Sequence, residues 1–245
     1  MDLIIGKNPV LEALKSGREI NKIWIAEGSQ RGQMQSIIQL AKQAGVLIQY
    51  VPKKKMDQMA EGNHQGVVAQ VAAYRYYEVD DLFKKAEQSG EPPFLIILDE
   101  IEDPHNLGSI MRTADAVGAH GIIIPKRRAV GLTATVAKAS TGAIEYIPVA
   151  RVTNLARTVD ELKERGVWIV GTDAKGEQDY RSLDGTMPLA LVIGSEGKGM
   201  SRLIREKCDF LIRLPMKGRV TSLNASVAAS LLMYEVYRKR NPLGE

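Results

Sequence analysis

The chain has one cysteine, Cys208, in 245 residues, which excludes a disulfide framework, a thiolate metal cage and methyl-transfer chemistry that needs two cysteines. The residues around it read as a helix end leading into a strand, and the thiol as a small buried hydrophobe. Histidine is almost as scarce: positions 64, 105 and 120 show no metal-ligand spacing, so no metal is expected. No apolar run approaches the length of a membrane span, and the N-terminus lacks a basic region followed by a long apolar stretch. The expected location is the cytoplasm. Charge of one sign is thinly spread: residues 1 to 92 hold 12 basic and 11 acidic side chains and the rest hold 21 and 18, for a net charge of +4. Only the local runs Lys53-Lys54-Lys55, Lys126-Arg127-Arg128 and Arg238-Lys239-Arg240 could neutralise several phosphates at once. Each reads equally as a solvated surface.

What is present is an alternation of strand and helix patterns, with enough apolar residues to bury a real core. Residues 1 to 74 read as a small α/β domain. A helix starts at Asn8-Pro9, Ile23 to Ile25 and Val46 to Val51 are strands, Met34 to Ala44 is a helix, and Val67 to Val71 is a last strand. Residues 75 to 93 mix tyrosines, charges, a short helix and Ser89-Gly90-Glu91-Pro92-Pro93, and are expected to join two domains. Residues 94 to 245 open with Phe94 to Asp99, a continuous apolar run suited to a strand buried on both faces. Similar runs at Gly121 to Ile124, Val167 to Val170, Leu189 to Ile193 and Phe210 to Leu214 are separated by helical patterns, which predicts a mostly parallel sheet covered by helices.

Three polar clusters sit where strand-like runs give way to helix-like ones, the place where open α/β sheets put their ligand loops. In the first, Asn106 is expected to cap a helix running to Val117, with Leu107, Ile110, Met111, Ala114 and Val117 on one face. Arg112 then projects away from that stripe, either as an ordinary exposed arginine or as a cation offered to an anionic substrate across a cleft or a subunit interface. The second, Gly194-Ser195-Glu196-Gly197-Lys198-Gly199, has neither the dinucleotide spacing nor a Lys followed by Ser or Thr, which disfavours nucleotide triphosphate hydrolysis. It is a tight turn or a close approach of backbone to ligand, with Glu196 as a polar contact. The third, Pro215 to Thr221 followed by Ser222-Leu223-Asn224, precedes a long, broadly buried helix to Arg240. Ser222 and Asn224 by themselves read as capping residues.

Taken as a set, Asn106-x-Gly108 with Arg112, Gly194-x-Glu196-Gly197-x-Gly199, and Ser222-Leu223-Asn224 with Ser226 resemble the three motifs of the SpoU (TrmH-like) ribose methyltransferases of the SPOUT class. The resemblance spans Phe94 to Arg240. The first half, with Gly6-Lys7-Asn8-Pro9-Val10 and His64-Gln65-Gly66, resembles the RNA-binding domain similar to kink-turn-binding ribosomal proteins, which points to the RlmB-like branch.

The resemblance implies a C-terminal domain closed by a trefoil knot, an exception to the general absence of knots. It also implies a homodimer, bound S-adenosylmethionine, and 2′-O-methylation of a guanosine ribose in 23S ribosomal RNA. Transfer RNA is the alternative substrate, and a non-catalytic RNA-binding or ribosome-assembly factor the alternative role. Carried over by position, the cofactor contacts Thr172, Ile193, Gly194, Leu214 and Leu223, and the active-site set is Asn106, Arg112, Glu196, Ser222 and Asn224. The family mechanism gives the arginine the part of base, but a guanidinium rarely gives up its proton. Anchoring a phosphate and stabilising a developing alkoxide fit Arg112 better.

Overall fold

The computed structural model describes residues 3–29, 32–60, 62–72, 74–219 and 222–244. Thr221, at the end of the loop expected after Leu214, lies outside the described residues. The chain divides into two units, residues 1–75 with 131–135, and 76–130 with 136–245.

The first unit is built from β1 (Leu3–Ile5), α1 (Lys7–Lys15), β2 (Ile20–Ala26), α2 (Gln33–Gln43), β3 (Leu47–Val51), α3 (Lys53–Met59) and β4 (Val67–Val71). Its sheet has the order β1-β4-β2-β3, with only β2 and β3 parallel. Strand alternation divides the apolar residues between two faces. Ile23, Ile25, Val67 and Ala69 pack with Val10 of α1 and Met34 and Ile37 of α2, whereas Ala26, Val51 and Val68 pack with Met56 of α3. Asn8 does not cap α1. Gly6 holds that position at φ 93°, a conformation that favours glycine, and Asn8 Oδ1 instead accepts from Gln33 Nε2 at 2.6 Å.

The second unit contains α4 (Val79–Ser89), β5 (Phe94–Asp99), α5 (Pro104–Ala116), β6 (Gly121–Pro125), α6 (Ala134–Ser140) apart from its first two residues, β7 (Val149–Val152), α7 (Leu155–Glu164), β8 (Trp168–Thr172), β9 (Gln178–Asp179), β10 (Leu189–Gly194), α8 (Arg202–Lys207), β11 (Phe210–Arg213) and α9 (Ala225–Arg240). All pairs in its seven-stranded sheet, ordered β7-β6-β5-β10-β8-β11-β9, are parallel. The chain runs outward from β5 to β7 on one side, then crosses to β8, and β10 inserts between β5 and β8. That reversal is the switch point at which parallel sheets open a crevice beyond their strand ends. The six-residue pairing of β5 with β10 brings Asp99 level with Gly194, so both strands release their loops at the same height.

The segment expected to join two domains supplies α4. Leu82 of α4 is buried with Leu95, Ile97, Ile123, Val159 and Ile169, where a Cβ on Gly121 would overlap it. At the other end of the chain, the run Arg238-Lys239-Arg240 is no free phosphate patch. Arg240 donates to the carbonyls of Pro92 at 2.7 Å, Gly185 at 2.8 Å and Met187 at 3.0 Å, and Arg238 pairs with Glu235 at 2.7 Å. The guanidinium satisfies these converging carbonyls with charge-assisted hydrogen bonds.

His120 is fixed beside this clamp. Its Nδ1 accepts the Phe94 N–H at 2.9 Å, so the ring proton sits on Nε2, 3.0 Å from Ser89 Oγ. Burial, then the charges of Arg240 and Lys85, push its pKa from 6.5 down to about 4. The unfolded chain therefore takes up the proton first as the pH falls. The stabilisation is complete above about 6.5 and is lost by about 3 kcal/mol as the pH approaches 4. Urea denaturation should show the stability gap between wild type and His120→Gln largest at pH 7 and shrinking towards pH 4.5; a gap independent of pH contradicts this assignment.

Candidate active site

The helix α5 starts earlier than its sequence suggests. Asp103 is the cap, accepting from His105 N at 2.9 Å, and Pro104 occupies the first turn, where its missing N–H costs nothing. Asn106 is therefore inside the helix, 8% exposed, with its amide free to point at neighbouring segments. Gly108 lets α6 approach: a Cβ there would overlap Ala139.

After β10 the chain makes a narrow turn closed by two backbone hydrogen bonds, Ser195 N to Gly199 O at 3.1 Å and Gly199 N to Ser195 O at 2.9 Å. Gly197 and Gly199 adopt φ 78° and 71°, and a Cβ on Gly194 would overlap the backbone of Gly199 and Met200. The glycines serve the turn, and the turn presents Glu196. Its far end is held by Asp99, buried at the end of β5, whose Oδ2 accepts Ser201 N at 2.6 Å.

Asn224 caps α9 as its residue type suggests, its Oδ1 accepting from Ser226 N at 2.9 Å, Ser226 Oγ at 2.6 Å and Val227 N at 3.3 Å. With that oxygen committed, Nδ2 donates to Asn106 Oδ1 at 3.1 Å and to Glu196 Oε1. The same Oε1 accepts from Asn106 Nδ2 at 3.0 Å and Ala225 N at 3.2 Å. A carboxylate thus sits on the N-terminus of a 16-residue helix, where the unpaired N–H groups and the helix dipole favour negative charge.

Glu196 borders a cavity of about 1260 Å³ at the carboxyl ends of β8, β10 and β11. Thr172, Ile193, Gly194, Leu214 and Leu223 line it, as does Ser222, whose hydroxyl has no partner among the described residues. Asn106 and Asn224 hold Glu196 at the rim. Arg112 is elsewhere: six residues along α5, about 9 Å along the axis from Asn106, it is exposed, lines no part of the cavity and has no hydrogen-bond or ionic partner among the described residues.

Three residues in or beside the cavity belong to no motif. Asp99 has one signal in the sequence, a lone acid ending an otherwise apolar strand. The cavity residues Asp173 and Arg205 have none, because nothing local pairs positions 32 residues apart. Burial raises the Asp173 pKa, but the Arg205 Nε at 2.5 Å and the Lys175 N–H at 2.7 Å outweigh it and hold the carboxyl below its usual range. Burial pushes the Cys208 thiol up to about 12, so it packs and does not react. No group of three or more His, Cys, Asp or Glu side chains able to hold a metal occurs among the described residues. No helix described is long and apolar enough to cross a membrane.

Replacing Asn224 by Ala removes the cap and two donors, so thermal denaturation should show a loss of about 2 kcal/mol. Gly194→Ala should abolish ligand binding in the cavity, because backbone, not a flexible side chain, must move. Wild-type stability in the first variant or wild-type binding in the second contradicts the geometry described.

Comparison with known proteins agrees with this architecture. The SpoU rRNA methylase family matches residues 93–234, and the RNA 2′-O ribose methyltransferase substrate-binding family matches residues 3–77. A Bacillus subtilis protein assigned to the TrmH family of tRNA/rRNA methyltransferases is 74% identical over 244 residues, covering 100% of this chain and 98% of its own. An AdoMet-bound rRNA methyltransferase from Sinorhizobium meliloti superposes with a TM-score of 0.61 at 29% identity, over 96% of this chain and 86% of its own. An A. aeolicus TrmH/SpoU tRNA modifying enzyme superposes with a TM-score of 0.56 at 31% identity, over 65% of this chain and 84% of its own. With family matches over both halves and a relative 74% identical along the whole chain, the chain belongs to the SpoU rRNA methylase family of RNA methyltransferases.

Proposed function

We propose that this chain transfers a methyl group from S-adenosylmethionine to the 2′-hydroxyl of a guanosine ribose in 23S ribosomal RNA, in the cytoplasm. The observation that carries the proposal is the Asn106–Glu196–Asn224 cluster fixed at the rim of the cavity. Ribosomal RNA is favoured over transfer RNA because the rRNA methyltransferase resembles both units, whereas the tRNA modifying enzyme covers 65% of this chain.

The residues present fit the cofactor. Ile193, Leu214 and Leu223 offer apolar walls, and the backbones of 215–218 and 222–223 make no hydrogen bonds among the described residues, leaving polar groups for a ligand. Thr172, whose Oγ1 donates to Val192 O at 3.1 Å, and Ile193 would flank the adenine, while Gly194, Leu214 and Leu223 would hold the remainder. When bound, S-adenosylmethionine supplies an electrophilic methyl group on a sulfonium that leaves as a neutral thioether, so the leaving group needs no metal. The protein must then align the ribose oxygen with that methyl group and receive a proton. Ser222, in the cavity wall and with no hydroxyl partner among the described residues, would orient the ribose.

Arg112 acts as a phosphate anchor and as a stabiliser of charge developing on the ribose oxygen, without losing its proton. It shares the exposed side of α5 with Ser109, which borders the α9 stripe of Val227, Leu231 and Tyr234, 48%, 45% and 51% exposed. Three large apolar residues on one exposed helical stripe support a homodimer built on this face, across which Arg112 reaches RNA. A knotted C-terminus is supported by the path of the chain: β11 lies beyond β8, yet α9 returns across the sheet to Asn106 and Glu196.

Arg112→Ala should lower methyl transfer to 23S RNA by about 100-fold or more, with S-adenosylmethionine affinity by calorimetry within about threefold of wild type. Lost cofactor affinity would assign Arg112 to the wrong ligand.

A further inference from the structure

The Asn106–Glu196–Asn224 cluster is one-sided in its hydrogen bonding. All three of its donors to Glu196, Asn106 Nδ2, Asn224 Nδ2 and Ala225 N, converge on Oε1. Oε2 has no partner among the described residues, although Glu196 lines the cavity. The two amide oxygens nearby are engaged: Asn106 Oδ1 accepts from Asn224, and Asn224 Oδ1 accepts three donors from the start of α9. These bonds also fix which way each amide points, since a flipped Asn106 or Asn224 would set oxygen against the carboxylate. Among the side-chain acceptors of the cluster, Glu196 Oε2 is therefore the one with no partner among the described residues, on an exposed side chain that lines the cavity. Arg112, always protonated, cannot accept.

We propose that Glu196 Oε2 is the proton acceptor of the methyl-transfer reaction, with Oε1 serving only to hold the carboxylate in place. The inference rests on the reading of this chain as a ribose methyltransferase. In the step, the bond from the ribose O2′ to the methyl carbon forms as the carbon–sulfur bond breaks, its electron pair going to sulfur. The hydroxyl proton passes to Glu196 Oε2 and from there to water. An alcohol oxygen that is gaining a methyl group becomes a strong acid, so the acceptor need not deprotonate it beforehand. A carboxylate suffices if it is within hydrogen-bond reach at that moment. Two asparagines and a helix N-terminus around one oxygen suit a proton acceptor, because they restrain the side chain without occupying the oxygen that reacts.

The discriminating variant is Glu196→Gln in the full chain. Its carbonyl oxygen can keep the three donors, while its NH₂ replaces Oε2 with a group that cannot accept a proton. The expected result is a single-turnover methyl-transfer rate lower by about 10²- to 10⁴-fold, with S-adenosylmethionine affinity by calorimetry, RNA affinity and melting temperature near wild type. Glu196→Ala should in addition recover part of its rate with added formate, a small carboxylate able to enter the vacated space. A Gln variant within tenfold of wild type overturns the proposal. So does one that loses cofactor affinity, which would make Glu196 a structural support of the loop. A wild-type protein that binds S-adenosylmethionine yet methylates no RNA overturns the reading beneath, a result seen before any variant is compared.

Discussion

One carboxylate oxygen, Glu196 Oε1, holds the site together. It accepts from residues 90 positions earlier and 28 positions later in the chain, so α5, the turn after β10 and the start of α9 meet at a single acceptor. A carboxylate accepting several hydrogen bonds at a helix N-terminus is strongly held, and removing it would leave three donors and the helix end without their partner. The glycines of the turn, the Asp99 contact to Ser201 and the cap on α9 all serve to bring that carboxylate to this point.

The sheet explains why the point lies beside a cavity. Pairing of β5 with β10 over their full length aligns the ends of two buried apolar strands, and the crossing to β8 opens a crevice beyond them. Their apolar residues supply stability, while the loops that leave their ends line the cavity and carry Glu196. Arg240 anchors the opposite end of α9 to the carbonyls before β5 and β10, so the helix is fixed at both ends.

The buried strands were legible because continuous apolar runs have few other uses; Phe94 to Asp99 and Val67 to Val71 have the bounds their residues suggest. The helix starts were less so. Asp103-Pro104 is a stronger start signal than Asn106, and the cap position of α1 falls to Gly6, at a positive φ that favours glycine, and not to Asn8. Short elements such as β7 and the two-residue β9 depend on neighbours for their existence and have no periodicity to read. Within the site, the motif residues were visible as types, but which of them touch was not. Asn106, Glu196 and Asn224 come together through strand order, a non-local property, and the same order leaves Arg112 outside the cavity of its own chain. The charge of Arg238-Lys239-Arg240 looked available for phosphate because the carbonyls that engage Arg240 lie 147 and 53 residues away in sequence.

The measurement that tests this account most directly is transfer of tritiated methyl groups from S-adenosylmethionine to unmodified total RNA, followed by mapping of alkali-resistant linkages, which mark 2′-O-methylated ribose. The expected result is label at one guanosine of the large ribosomal RNA. Label confined to transfer RNA, to bases rather than ribose, or to no RNA at all would contradict it.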